Sequence, residues 1–297
     1  MVGFSNSSVP LASDTETHGN CTAAVISTPD IGQFLIYGGL AGMAVMLALM
    51  SLVSTGIRFL DPGRPERYWI VASLMTVFNV WAVIFSFLFA STIVFNEGSC
   101  FVGYLLTNIA SQFFFLHFDL FVLYKTHAIS QGDRRVTAAS IVLILNRVFW
   151  VAYDIDRSYG FWDPQSGSCL YSQHAIAGIG YNSADMIIDA FCTTVCIAFT
   201  WNAIGSRYGD VISVLLSENV SRSAIILAVN SVLVYASSHV TDPFELTVAF
   251  FTQNLAYVMC LNAELLWFDR RKAVHDRVCS SSISKGPDRS GGHSTNA

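Results

Sequence analysis

Two aspartates, Asp185 and Asp189, stand one helical turn apart in the apolar stretch YNSADMIIDAFC (181–192). An arginine, Arg147, stands in a second one, LNRVFWVAYD (145–154). Hydrocarbon cannot hydrate such groups, and a charged side chain at the centre of a membrane helix costs about 2.5–3.5 kcal/mol on insertion scales. They must therefore face protein or water, where the chemistry open to them is ion pairing, proton transfer or the holding of a polar ligand. Gly178, Asn182, Asp185, Asp189, Cys192 and Cys196 follow one another in steps of 4, 3, 4, 3 and 4. That spacing makes one helical stripe of small and polar residues. The opposite side is read as Ile187, Ile188, Phe191 and Val195.

A rise of 1.5 Å per residue puts Arg147 about 16–18 Å from the inner end of its span, Asp189 about 18–20 Å and Asp185 about 24–26 Å. Asp189 is thus the expected partner of Arg147. Other spans add Asn108, Ser111, Gln112 and Asp119 on one face, with His117 to the side. They also add Thr76, Asn79, Ser86, Asn230, Ser237, Gln253, Asn254, Tyr257 and Glu264, the last near the inner interface. The candidate site is Arg147, Asp185, Asp189, Asn182, Gln112, Asp119, His117 and Asn254. Two readings stay open: a ligand, ion or proton site, and a structural clasp in which Arg147 and an aspartate hold two helices together. If Asp119, Asp185 and Asp189 are all buried, Arg147 offsets only one of three negative charges.

The elements that must position these groups are membrane spans. Of 297 residues, 53% are hydrophobic and 12% charged, against about 25% charged in a soluble domain. Long apolar runs cover about 33–57, 68–94, 101–125, 136–155, 174–201, 223–240 and 244–268, each near the roughly 20 residues that a span needs. Seven spans with the N-terminus outside leave every one of the sixteen Lys/Arg residues except Arg147 and Arg157 on the cytoplasmic side, as the positive-inside rule asks. The expected fold is an all-α membrane protein, a seven-transmembrane helix bundle. Residues 1–32 form an extracellular tail, 33–268 the membrane domain and 269–297 a cytoplasmic tail. Residues 1–30 are polar with no signal-peptide core, so the first span acts as the first anchor. Residues 202–222 are expected as an inner loop, WFDRRKAVHDRVC (267–279) as a short basic surface helix, and 280–297 as disordered.

Cys21, Cys100 and Cys169 fall outside, where disulfides persist; the expected pair is Cys100–Cys169, with Cys21 able to replace either partner. Cys192, Cys196 and Cys260 fall within spans, Cys192 and Cys196 being expected as packing residues, and Cys279 is a palmitoylation candidate. Asn6 and Asn20 head glycosylation triplets on the outer tail, whereas Asn219 heads one on the inner side that should stay unmodified. All seven prolines lie outside the spans, so these helices lack proline hinges. Gly38 and Gly42 suggest a close packing contact on the first span.

The topology and the expected bridge over residues 33–278 resemble the G-protein-coupled receptor family. That resemblance implies a small ligand entering under the Cys169 loop and a cytosolic signalling partner at the inner loops. The rhodopsin-like motifs are missing. Leu120 and Phe121 follow Asp119 where an arginine and an aromatic would stand, and QNLAYVMCLNAELLWF (253–268) holds no Asn-Pro-x-x-Tyr. The stretches NRVFWVAYD (146–154) and GIGYNSADMIID (178–189) are similar to a fungal seven-helix family, a likeness that supplies no activity. Residues 244–268 contain no lysine for a retinal Schiff base. With His117 the sole histidine inside a span, no metal site forms. No cofactor, no nucleic-acid partner and no enzymatic activity are expected. The partners are the lipid bilayer, a small-molecule ligand and a cytosolic protein, and the location is the plasma membrane. The alternative to a receptor is an ion or proton transporter, or a structural membrane protein.

Overall fold

The computed structural model describes residues 31–59, 66–164, 167–201, 209–240 and 243–284. Asn6, Asn20, Cys21 and the side chain of Cys279 lie outside what is described. Seven long helices account for most of the rest: α1 (Ile31–Phe59), α2 (Glu66–Ser91), α3 (Glu97–Ile129), α4 (Arg134–Arg157), α5 (Ala175–Trp201), α6 (Gly209–His239) and α7 (Pro243–Ser284). Each holds a segment long and apolar enough to cross a membrane. The chain is a multi-pass membrane protein with an all-α bundle.

The helices close into a ring, each packing on the next in sequence and α7 returning to α1, while α3 also reaches α5 and is the most central element. The termini of α3 and α4 are set locally. Asn96 caps α3 in a reciprocal capping box with Ser99. Asp133 caps α4 by accepting from the Arg135 and Val136 amides at 2.7 and 3.2 Å. Between them Gln131 and Gly132 take φ of 54° and 79°, the left-handed turn that lets α4 reverse direction with so short a connection. Pro243 opens α7, where its missing N–H costs nothing.

A two-stranded antiparallel hairpin, β1 (Tyr159–Asp163) with β2 (Ser168–Ser172), joins α4 to α5 and packs on α3. Cys100 and Cys169 form a disulfide that ties β2 to the start of α3. Gly160 permits the close approach: a Cβ there would stand 2.6 Å from Tyr104. We refer to this end of the bundle as the hairpin end and to the other as the tail end.

The interior is divided. Between α2, α3 and α7 it is aromatic, with Phe78, Phe85, Phe89, Phe114, Phe118 and Tyr257 in mutual ring contact. Between α3, α4, α5, α6 and α7 it is polar. Outward the helices show Leu35, Met50, Ile57, Phe87, Val142, Phe149, Val232 and Tyr235, all more than half exposed, an apolar belt suited to a bilayer.

Three local expectations are corrected. Gly38 and Gly42 are exposed with nothing within 4 Å of a Cβ, so they make no close contact within the chain. Helix α6 begins at Gly209, so VISVLL and Arg222 belong to it and not to an inner loop. Helix α7 runs unbroken to Ser284, where a separate surface helix and the start of a disordered tail were expected; its span is Glu245–Trp267.

Candidate functional site

The stripe on α5 faces inward as its spacing requires. Asn182, Asp185, Asp189, Cys192 and Cys196 are all buried and Ile187 is exposed. Ile188 joins the buried side, because it lies three residues after Asp185 and four before Cys192. Gly180 lets α4 come close, since any Cβ there would collide with the Trp150 ring.

At mid-bundle Arg147 is fully buried between two carboxylates. Its Nε lies 2.9 Å from Asp185 Oδ1 and 3.2 Å from Asp119 Oδ2. Nη1 donates to the Tyr181 carbonyl at 3.3 Å, and the guanidinium lies 5.4 Å from the centre of the Tyr181 ring. The expected Arg147–Asp189 pair is therefore replaced by a three-helix cluster of α3, α4 and α5. A depth count along upright helices does not separate two acids one turn apart, and Asp189 has a competitor for its charge. That competitor is Arg222 of α6, whose Nε lies 3.5 Å from Asp189 Oδ1.

Arg222 belongs to a second cluster at the tail end. Its Nη1 donates to Glu264 Oε1 at 3.3 Å. Lys125 of α3 donates to both Glu264 oxygens, at 2.7 and 3.0 Å, and to Glu218 of α6. Four helices, α3, α5, α6 and α7, thus meet there through two cations and three carboxylates. Asn219 is buried beside them, donating to Cys196 Sγ at 3.3 Å.

At the hairpin end a cavity opens beneath the hairpin, holding about 510 Å³ of empty space, part of it open to solvent. Its walls are largely aromatic: Phe85, Phe89, Phe115 and Phe250 from the bundle, with Tyr104, Tyr171 and Tyr181 toward the hairpin. Tyr104 and Tyr171 stack with centroids 5.4 Å apart. Burial, then the nearby Asp154 charge, pushes the Tyr171 phenol well above its ordinary value, so it is a neutral hydroxyl at physiological pH. The polar part of the lining is Thr107, Asn108, Ser111, Gln112, Gln173, Gln253 and Asp154. Gln112 Nε2 donates to Asp154 Oδ2 at 2.9 Å, and Ser158 Oγ donates to Asp154 Oδ1 at 2.8 Å.

An amide ladder joins this cavity to the mid-bundle cluster. Gln253 Nε2 donates to Asn182 Oδ1 at 3.1 Å and to Asn230 Oδ1 at 3.0 Å. Asn230 Nδ2 donates to the Tyr257 hydroxyl at 2.9 Å, and that hydroxyl donates to Asp185 Oδ2 at 3.3 Å. One end of the ladder lines the cavity and the other end touches the Arg147 partner.

Comparison with protein-family models and with curated proteins yields no match. The site must be read from its own geometry.

That geometry brings together Arg147, Asp119, Asp185 and Asn182, and it puts Gln112 in the cavity wall. Asp189 moves to the tail-end cluster. Asn254 is buried but turned to α2, donating to Ser86 Oγ at 2.9 Å. His117 is not brought to the site: its Nδ1 meets the Phe113 carbonyl of its own helix at 2.7 Å. Glu264, expected as a lightly demanding interfacial acid, is buried and doubly paired. Among the described residues no group of three His, Cys, Asp or Glu side chains is arranged to hold a metal ion.

Sequence reasoning missed Asp154, Arg222 and Glu218. Periodicity held the signal for each. Arg147, Trp150 and Asp154 continue one face of α4. Glu218, Arg222, Ile226, Asn230 and Leu233 continue one face of α6 at steps of 4, 4, 4 and 3.

Proposed function

We propose that this protein is a receptor-like sensor of a small molecule, with the hairpin end outside the cell, the tail end in the cytoplasm and the plasma membrane as its location. The observation that carries the reading is the cavity under the disulfide-tied hairpin, whose wall residues Gln112 and Gln253 are hydrogen-bonded into the buried polar network. A ligand that competes for either amide changes which partners Asn182, Asn230 and Asp154 have. It thereby favours one helix arrangement over another by the difference in its affinity for the two. The tail-end cluster ties α3, α5, α6 and α7 together, and its rearrangement is what a cytosolic partner would read. The arrangement fits the implied likeness to G-protein-coupled receptors in architecture, without their rhodopsin-like motifs and without catalysis.

A second reading has its own observation. Asp154, Asp185, Asp189 and Glu264 mark a succession of buried acids from the hairpin end to the tail end, the parts that proton relays use. Reconstitution of the full chain in liposomes separates the two. The sensor reading predicts no proton or ion flux and recruitment of a cytosolic protein that depends on a ligand. Flux that Asp189→Asn abolishes would replace it with transport.

A further inference from the structure

Five of the six acids buried in the described bundle sit against a cation: Asp119 and Asp185 against Arg147, Asp189 against Arg222, Glu218 and Glu264 against Lys125. Asp154 is the exception. It is 1% exposed, it lines the cavity, and no cationic side chain among the described residues forms an ion pair with it. Its two oxygens each take one neutral donor, from Gln112 and Ser158, where an ionised carboxylate offers about four acceptor positions. The Asn108 amide nitrogen, left without a partner at hydrogen-bond geometry, sits beside the same carboxylate.

Two more acceptors wait at the cavity. Gln112 Oε1 and Gln253 Oε1 are buried without a donor. Their orientation is fixed by the bonds that the matching Nε2 atoms make to Asp154 and to Asn182 and Asn230. A buried carboxylate with no cation in direct contact, Arg147 acting on it only from a distance, beside two carbonyl oxygens without donors, is complementary to a group that carries positive charge and several N–H bonds. The remainder of the wall is phenylalanine and tyrosine. Aromatic faces suit an apolar body, and they also attract a cation.

We propose that the cavity binds an amphipathic amine, its ammonium held by Asp154 and its apolar body packed on Phe85, Phe89 and Phe115. This deepens the sensor reading and rests on it. The anionic and neutral counterparts of such a molecule bind worse, the first because two like charges would be buried together and the second because Asp154 keeps its unmatched charge.

The test uses the full-length protein in lipid nanodiscs and a set of aryl- and alkylamines. Each is matched in body to a neutral alcohol and to a carboxylate, and binding is read as ligand-dependent thermal stabilisation. The expected result is that amines bind, matched alcohols bind about tenfold to a hundredfold more weakly, and carboxylates do not bind. Asp154→Asn should reduce amines to the level of their alcohols, and Asp154→Glu should keep the preference. If alcohols equal or exceed their amines, or if carboxylates are preferred, the amine assignment is overturned while the sensor reading stands. If no member of any class binds, both are overturned. The wild-type comparison decides the matter even where Asp154→Asn fails to fold.

Discussion

The two ends of the polar interior both bury acids and differ in what closes around them. At the tail end Lys125 and Arg222 stand among Asp189, Glu218 and Glu264, and charge is matched by charge from four helices. At the hairpin end Asp154 has only neutral donors and borders empty space. A buried charge cluster missing one partner is strongly destabilised, whereas a complete one is close to neutral in net stability. The tail end is therefore a fastening between helices, and the hairpin end is an incomplete site that a ligand can finish. Arg147 lies between them and is joined to the hairpin end, since Asp185 also receives the amide ladder from the cavity.

The comparison can be broken most forcefully at its centre. Arg147→Met leaves Asp119 and Asp185 buried without a cation and should destabilise the bundle by about 3–5 kcal/mol, or prevent folding; thermal melting in nanodiscs measures it. Next comes the fastening. Lys125→Met should cost roughly 2–4 kcal/mol and widen the spacing between the tail ends of α3 and α6, measured by spin-label distances. The same substitution should leave ligand-free hydrogen exchange of the hairpin unchanged. Cys100→Ser acts at the opposite end. It should cost about 2–5 kcal/mol at most, and it should raise hydrogen exchange over residues 159–172 without altering the tail-end distances. Gly180→Ala drives a methyl into Trp150 and should cost about 1–3 kcal/mol by parting α4 from α5. His117→Ala is the smallest, within about 0.5 kcal/mol, because its bond runs to its own helix and to neither region.

How far the sequence reached follows the same division. The inward stripe of α5 was legible because small and polar residues recur at helical spacing against an apolar background. Which side of the membrane each cysteine falls on narrowed the disulfide to Cys21, Cys100 and Cys169, and the structure pairs Cys100 with Cys169. Arg147 was conspicuous because nothing apolar explains it. Its partner was not legible. A depth count along one helix says nothing of how a neighbour is tilted, and Asp185 and Asp189 differ by a single turn. Arg222 was hidden by SENVSRS (217–223), whose polarity reads as a loop. In the bundle that run is the first buried part of α6, polar because it meets the polar ends of α3, α5 and α7. Asp154 does not stand out in the sequence, because acids at the end of a span are ordinary there. In the bundle Asp154 is buried, with Gln112 of α3 and Ser158 at the end of α4 donating to it.

The pairing of the three buried acids on α3 and α5 with their two arginines is the claim on which both regions depend, and a double-mutant cycle tests it most directly. Arg147→Met with Asp185→Asn, and Arg222→Met with Asp189→Asn, should each show a coupling of about 1–3 kcal/mol in melting experiments. The crossed pair of Arg147→Met with Asp189→Asn should be additive to about 0.5 kcal/mol. Strong coupling of Arg147 to Asp189, with none to Asp185, would contradict the account.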